Sequence, residues 1–329
     1  MASLLLLAGS CNKPVLFDHV ATTDSLPPAI RKKVLVIAIE GARGQVVRDA
    51  SIPNITALLP NSIYSWDAVT DTATLDAASW AGLFTGAGNN KNGVKGIAYA
   101  GNNLSAFPSF TQRFENSSLD ITGISSSASL NDTLLKRGSA NTYIKTNGDD
   151  GAAKDSAVGR LQHADPDVLI VALSGVNKAG LENGFSANAA AYTNAIHQAD
   201  AYIGEILGAL TSRPSYASED WLVIITSNHG GTDAGAYGGD TFAERNSFLI
   251  YWNKSFTGKQ LEMPLLNVPY EGTFPFFYRK DGKDHAAYSD NPAFLFGDAQ
   301  NFTIEFNIKT TYTGGDDHGI VANKNWDSG

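Results

Sequence analysis

Three apolar runs, KVLVIAI (33–39), DVLIVALS (167–174) and WLVIITS (221–227), lack the apolar–polar alternation of a strand that faces water on one side. Such strands have to be covered on both faces, as in a parallel sheet sandwiched between layers of helices. Between the second and third runs, in the segment 186–210, Tyr192, Ile196, Ala199, Ile203, Ile206 and Leu210 recur at helical spacing and predict a helix with one apolar face. Strands alternating with helices imply βαβ units. In sheets of that kind ligands bind beyond the carboxyl ends of the strands. Those ends are Glu40, the 174–177 loop, and Asn228 with His229.

Composition narrows the function classes. The 329 residues are 43% hydrophobic and 17% charged, enough apolar material for a large core. A net charge of -9, with no Lys/Arg cluster interleaved with aromatics, leaves no basic face to neutralise phosphates, so nucleic acid is not an expected partner. The single cysteine excludes a disulfide framework or a Cys-based zinc site within the chain.

Five segments, VLVIAIEGARG, DTATLDAASWAGLFTGAGNNKNGV, VNKAGLENGFS, SNHGG and GAYGG, occur in an order and at a spacing that resemble the type I phosphodiesterase/nucleotide pyrophosphatase branch of the alkaline phosphatase superfamily. The resemblance spans about residues 33 to 255. It implies an α/β fold: an alkaline phosphatase-like, mostly parallel sheet with helices on both faces. It also implies two divalent metal ions held between strand ends, with a Thr or Ser nucleophile that cleaves phosphoesters. In such a centre carboxylates and imidazoles fix the ions, and the ions activate the nucleophile and clamp the transferring group.

Carried over position by position, the resemblance places Glu40 where the family has the first-strand Asp. Counting back from Gly86 in LFTG places Asp76 at the nucleophile position, with Thr74 two residues upstream as the nearest hydroxyl. One metal site reduces to Asn177, Leu181 and Tyr237, none of them an ordinary zinc ligand, whereas a catalytic zinc needs three good protein ligands. The other keeps Glu40, Asn228, His229 and Asp76, an oxygen-rich set compatible with one Ca²⁺, Mg²⁺, Mn²⁺ or Zn²⁺ ion, or with none. Plainer roles exist for each residue. His229 reads equally as a histidine hydrogen-bonded within a glycine-rich loop, Asn228 and Asn177 as turn residues, and Asp76 as a helix N-cap. Glu40, at the end of a buried strand, requires a partner: a cation, Arg43, or the N-terminus of the following helix. Arg43 is also the candidate contact for a phosphate or sulfate ester.

The stretch MASLLLLAGSC, closing on Cys11, resembles a bacterial lipobox, which implies a lipid anchor on Cys11 and a surface lipoprotein of the bacterial envelope. The alternative is an N-terminal strand with a small buried cysteine. Residues 12–32 read as a tether and 33–285 as the phosphodiesterase-like domain. From 286 to 329, the alternation of Phe302, Ile304, Phe306 and Ile308 resembles the opening strands of a laminin G-like, concanavalin-type jelly roll, about forty residues of a sandwich that needs well over a hundred. Domains of that type often bind carbohydrate.

The sequence therefore predicts a lipid-anchored surface protein whose phosphodiesterase-like domain has a degenerate two-metal centre and serves a non-catalytic ligand- or glycan-binding role. The alternative is a metal-dependent phosphoric ester hydrolase with an atypical one-metal site at Glu40, Asp76, Asn228 and His229, using water or Thr74 as nucleophile.

Overall fold

The structure, a computed structural model, describes residues 30–114, 117–130, 132–135 and 141–262. The chain divides into two units, Met1–Pro264 and Leu265–Gly329, and all described residues belong to the first. The Cys11 segment, most of the 12–32 tether, the last part of the 33–285 domain and the 286–329 segment lie outside the described residues.

The strands, in chain order, are β1 (Arg31–Ile39), β2 (Ser62–Val69), β3 (Ile121–Ser125), β4 (Asn141–Lys145), β5 (Val168–Leu173), β6 (Glu219–Thr226), β7 (Asn246–Trp252) and β8 (Lys259–Gln260). They form one sheet in the order β4-β3-β5-β1-β6-β7-β2-β8. β1 lies parallel between β5 and β6, with Ile37 opposite both Val171 and Ile225. Only β7 runs against its neighbours. This is the mostly parallel sheet expected from the three apolar runs. β1 opens at Arg31, two residues ahead of the start read from the sequence, because Arg31 and Lys32 already pair with Glu219 and Asp220.

Both faces of the sheet are covered. Leu35, Ile37 and Ile39 of β1 join Leu169, Val171 and Leu173 of β5 in one core cluster, with Tyr192, Ile196, Ala199, Ile203, Ile206 and Leu210 of the helix Ala190–Thr211. Val36 and Ala38 point the other way, into a second cluster with Trp80 and Phe84 of the helix Asp76–Thr85 and with Leu130, Leu134 and Leu135. Each buried Leu or Ile contributes about 2 kcal/mol of transfer free energy. No helix among the described residues is long and apolar enough to cross a membrane.

At the amino-terminal end of the sheet, buried charged groups are met by counter-charges. Lys33, with a fully buried side chain, donates to the Pro166 carbonyl at 2.9 Å and pairs with Asp165 at 2.8 Å. Arg213 donates to both oxygens of Glu219, at 3.0 and 2.9 Å, and Trp221 Nε1 donates to the same carboxylate at 2.7 Å. Burial by itself would raise the Glu219 carboxyl, but the bonds from Arg213, Trp221 and Ser215 outweigh it and hold the group at about 2. A depressed carboxyl contributes stability above its unfolded value and loses that contribution as pH falls toward the folded one. We therefore expect Glu219→Gln, which leaves Arg213 without its buried counter-charge, to cost about 3 kcal/mol in urea denaturation at neutral pH. The difference from the parent protein should shrink as pH drops from 4.5 toward about 2.

Candidate functional site

Strand ends β1, β5 and β6 bring together the residues singled out in the sequence, and the first turn after β1 sets their spacing. Gly41 has φ +71°, and a Cβ on it would sit 2.7 Å from Asn177 Oδ1, so only glycine allows Asn177 to approach this closely. The Gly41 amide donates to Asn228 Oδ1 at 3.2 Å, and Tyr192 donates to the Gly41 carbonyl at 2.7 Å. Asn177 lies in the helix Gly175–Asn183, directly after β5, and Asn228 and His229 directly after β6.

Glu40 is buried, and its protein partners are neither Arg43 nor the N-terminus of the following helix. Oε1 accepts from Trp80 Nε1 at 3.0 Å and from Ser129 Oγ at 2.9 Å. Burial pushes the carboxyl up to about 7, against the bonds from Ser127, Trp80 and Ser129, and Asp76 adds to the rise. Arg43 turns away to Asp233 at 2.9 Å, while its Nε is buried and unpartnered.

Asp76 is the first residue of its helix; Leu75 is the N-cap, and no side chain caps the turn. The carboxylate of Asp76 instead accepts a hydrogen bond from the Tyr237 hydroxyl. Thr74 is fully buried, its hydroxyl accepting from the Gly238 amide at 2.8 Å and donating to the Gly239 carbonyl at 3.2 Å. The hydroxyl thus fastens the GAYGG loop and has no proton free for a substrate. Asn228 is likewise engaged at both ends of its amide, since Nδ2 donates to Ser79 Oγ at 3.0 Å.

His229 has 0% exposure. Its Nδ1 lies 2.6 Å from the Gly230 carbonyl, which can only accept, so the ring proton is assigned to Nδ1 and Nε2 carries a lone pair. Nε2 has no partner among the described residues, and neither does Asn177 Oδ1. Burial lowers the imidazole to about 4, outweighing the Gly230 bond and the nearby Asp76 and Glu244, so His229 is neutral at ordinary pH. The Tyr237 ring lies flat on the imidazole, centroids 4.5 Å apart at 5°. Burial, and then Asp76, raise the Tyr237 phenol above its usual value, with the Asn177 amide opposing the rise.

The two-metal centre implied by the resemblance does not fit this corner. At one site Leu181 has no ligand atom and is 46% exposed, and the Tyr237 hydroxyl is spent on Asp76. At the other, Glu40 Oε1 and both ends of the Asn228 amide are already bonded to protein groups. Among the described residues no three His, Cys, Asp or Glu side chains come together as a ligand group. His229 Nε2, Asn177 Oδ1 and Arg43 Nε remain without a partner among the described residues. Asn228 and Ser227 join Thr70, Asp71, Leu83 and Tyr251 around a cleft of about 360 Å³.

Trp80, Ser129 and Ser79 were not singled out from the sequence. The signal for Trp80 was its position four residues after Asp76 in one helix, which puts both side chains on one face. Ser129 comes from a loop beyond β3 and carries no such signal.

No protein-family model matches the chain, and no curated protein matches it. Solved structures do. The 2-O GAG sulfatase BT1596 superposes with a TM-score of 0.53 at 12% identity, over 69% of this chain and 65% of its own. A protein in the alkaline phosphatase superfamily from Vibrio parahaemolyticus gives 0.53 at 13%, over 70% and 62%. The C-terminal periplasmic domain of the phosphoethanolamine transferase EptC from Campylobacter jejuni gives 0.51 at 16%, over 68% and 80%. At these identities the likeness establishes an alkaline phosphatase-like fold, and the chain spans about two thirds of the sulfatase's length.

The Glu40 carboxyl gives a prediction with a defined sign. Its folded value, about 7, lies above the ordinary 4.5, so the folded state binds more protons between those values and stability falls as pH rises through them. Glu40→Gln, which keeps an acceptor for Trp80 and Ser129, should match the parent protein in thermal denaturation below 4.5 and exceed it above 7, in chelator-containing buffer. Equal melting temperatures across that range would show that Glu40 is not held neutral by burial.

Proposed function

We propose that this domain is a non-catalytic ligand-binding domain on an alkaline phosphatase-like fold, displayed at the bacterial envelope by a lipid on Cys11. The observation that carries this reading is the bond from the Tyr237 hydroxyl to Asp76. It joins the position where the resemblance places a nucleophile to a position where it places a metal-binding imidazole, and neither group is then free for either task. The bonding of Thr74 within the GAYGG loop supports the same reading. A lipobox-like Cys11 agrees with an envelope location, as does the periplasmic placement that the EptC domain's own description states for that protein. A glycan-binding role for the C-terminal segment rests on its resemblance to a jelly roll, and phosphate or sulfate esters are the ligands suggested by the fold's neighbours.

The open Nε2 of His229 favours one alternative, a phosphoric ester hydrolase with a single ion at Glu40, Asp76, Asn228 and His229. A histidine that donates through Nδ1 to a carbonyl and presents Nε2 is oriented as metal-ligating histidines are.

The two readings separate in one experiment. Metal content of the purified, unchelated protein is measured by plasma mass spectrometry, and turnover of aryl phosphodiesters, aryl phosphates and aryl sulfates is assayed on the same sample with Ca²⁺, Mg²⁺, Mn²⁺ or Zn²⁺ added. We expect no stoichiometric ion and no turnover above the blank. Turnover that disappears in His229→Ala would replace the binding reading with the one-ion hydrolase. Separately, radiolabelled fatty acid should enter the full-length precursor expressed in bacteria and fail to enter Cys11→Ser.

A further inference from the structure

The carboxyl edge of the sheet holds a second opening, apart from the Asp76–Tyr237 corner. β3 and β5 are parallel neighbours, but the chain leaves them over opposite faces of the sheet. After β3 it packs Leu130, Leu134 and Leu135 into one core cluster, and after β5 it packs the helix Ala190–Thr211 into the other. Strand ends at such a reversal are where ligands enter sheets of this kind. A cavity of about 430 Å³ borders this one, lined in part by Gly175, two residues beyond β5. Small-molecule sites have volumes of roughly 300–1,000 Å³.

Two glycines make room for polar groups on its wall. A Cβ on Gly151 would stand 3.2 Å from Asp149 Oδ1 and 3.4 Å from the Tyr202 hydroxyl, so these two oxygens come together over Gly151. A Cβ on Gly175 would stand 2.7 Å from Asp150 Oδ2. Asp150 is held by Ser126 Oγ at 2.5 Å and by the Ser174 and Gly175 amides at 2.8 and 2.9 Å, and Asp149 Oδ1 accepts from the Ala152 amide at 2.9 Å. Those amides are thereby spent, and none of the lining residues is Lys, Arg or His, so an anion finds no counterpart here. Lys154, whose Nζ lies over the Tyr202 ring, is bound to Asp155 and Glu205. What remains open is mixed. Asn147 and Gln198 each present a carboxamide and Tyr202 a hydroxyl, and none of the three makes a side-chain hydrogen bond among the described residues. A carboxylate accepts about four hydrogen bonds, of which Asp149 uses one and Asp150 three.

We propose that this cavity binds a neutral sugar unit, with Asn147, Asp149, Asp150, Gln198 and Tyr202 bonding its hydroxyls. A sugar hydroxyl both donates and accepts, which matches open acceptors on the carboxylates beside open donors on the carboxamides and the phenol. A metal ion calls for acceptors alone, and a phosphate or sulfate ester for donors and cations; the lining is neither. The proposal adds a site to the ligand-binding reading and does not rest on the Asp76–Tyr237 corner.

The test uses the whole chain in chelator-containing buffer and saturation-transfer difference NMR, with glucose, galactose, mannose, N-acetylglucosamine and lactose as probes. At least one of these sugars should receive saturable transfer. Gln198→Ala, at an exposed helix position, should weaken that sugar about tenfold through loss of its hydrogen bonds. Gly151→Ala sets a methyl group against Asp149 and Tyr202 in the first turn of the helix Asp150–His163, where alanine is favoured over glycine. It should weaken the sugar at least as much without lowering the melting temperature. No transfer from any of the sugars overturns the proposal, as does a sugar that binds only when Ca²⁺ replaces the chelator, or glucose 6-phosphate binding more tightly than every neutral sugar. Sugar binding unchanged in both variants also overturns it, by placing the sugar elsewhere on the chain. Metal content and turnover, which decide the reading of the corner, enter none of these outcomes.

Discussion

The position of β1 between β5 and β6, covered by helices on both faces, constrains everything else in this domain. Leu35, Ile37 and Ile39 are committed to one core cluster and Val36 and Ala38 to the other, so no side chain from Leu35 to Ile39 is available for chemistry. Polar groups can gather only where the strands stop and the backbone turns. At the carboxyl end that turn is made by Gly41, whose missing Cβ lets Asn177 approach and whose amide and carbonyl tie down Asn228 and Tyr192. The same constraint that makes the core also makes the corner.

The two ends of the sheet treat buried charge in opposite ways. At the amino-terminal end Lys33 meets Asp165, and Glu219 meets Arg213 and Trp221, so each charge taken out of water has a counter-charge and directed hydrogen bonds. At the carboxyl end the donors to Glu40 among the described residues, Trp80 and Ser129, are neutral, and burial pushes the carboxyl up to about 7. Desolvation without a cation shifts a carboxylate toward its neutral form, whereas desolvation with one does not. The first end is a clamp that needs nothing further, and at the second Arg43 Nε, Asn177 Oδ1 and His229 Nε2 have no partner among the described residues.

Much of this was legible in the sequence. Loss of alternation in three runs gave away the doubly covered parallel sheet, and helical spacing gave away the buried face of Ala190–Thr211. Strand-end positions placed Glu40, Asn177, Asn228 and His229 at one edge, whereas Asp76 and Tyr237 joined the set only through the family resemblance. The bonds each residue makes there were not legible. Asp76 looked like a helix cap, but it lies one residue inside the helix, and its carboxylate is bonded to a tyrosine 161 positions away. Glu40 needed a partner, and the partner was an indole and a serine from a loop, groups that carry no charge pattern a sequence could display. Periodicity reports which face of an element is buried; it does not report which of several polar neighbours wins a hydrogen bond.

Tyr237 shows why a shared fold leaves chemistry open. Place an imidazole at that position, and its lone pair adds to those of His229 and Asn177, making a corner that calls for a metal ion. A tyrosine there brings a hydroxyl donor and an aromatic face, which satisfy Asp76 and cover His229. The Thr74 hydroxyl holds the GAYGG loop through the Gly238 amide and the Gly239 carbonyl, bonds in which the side chain at 237 takes no part. The change is in the balance of donors and acceptors among the side chains of the corner. A fold comparison at 12–16% identity reads the backbone, so it places the corner without reading that balance.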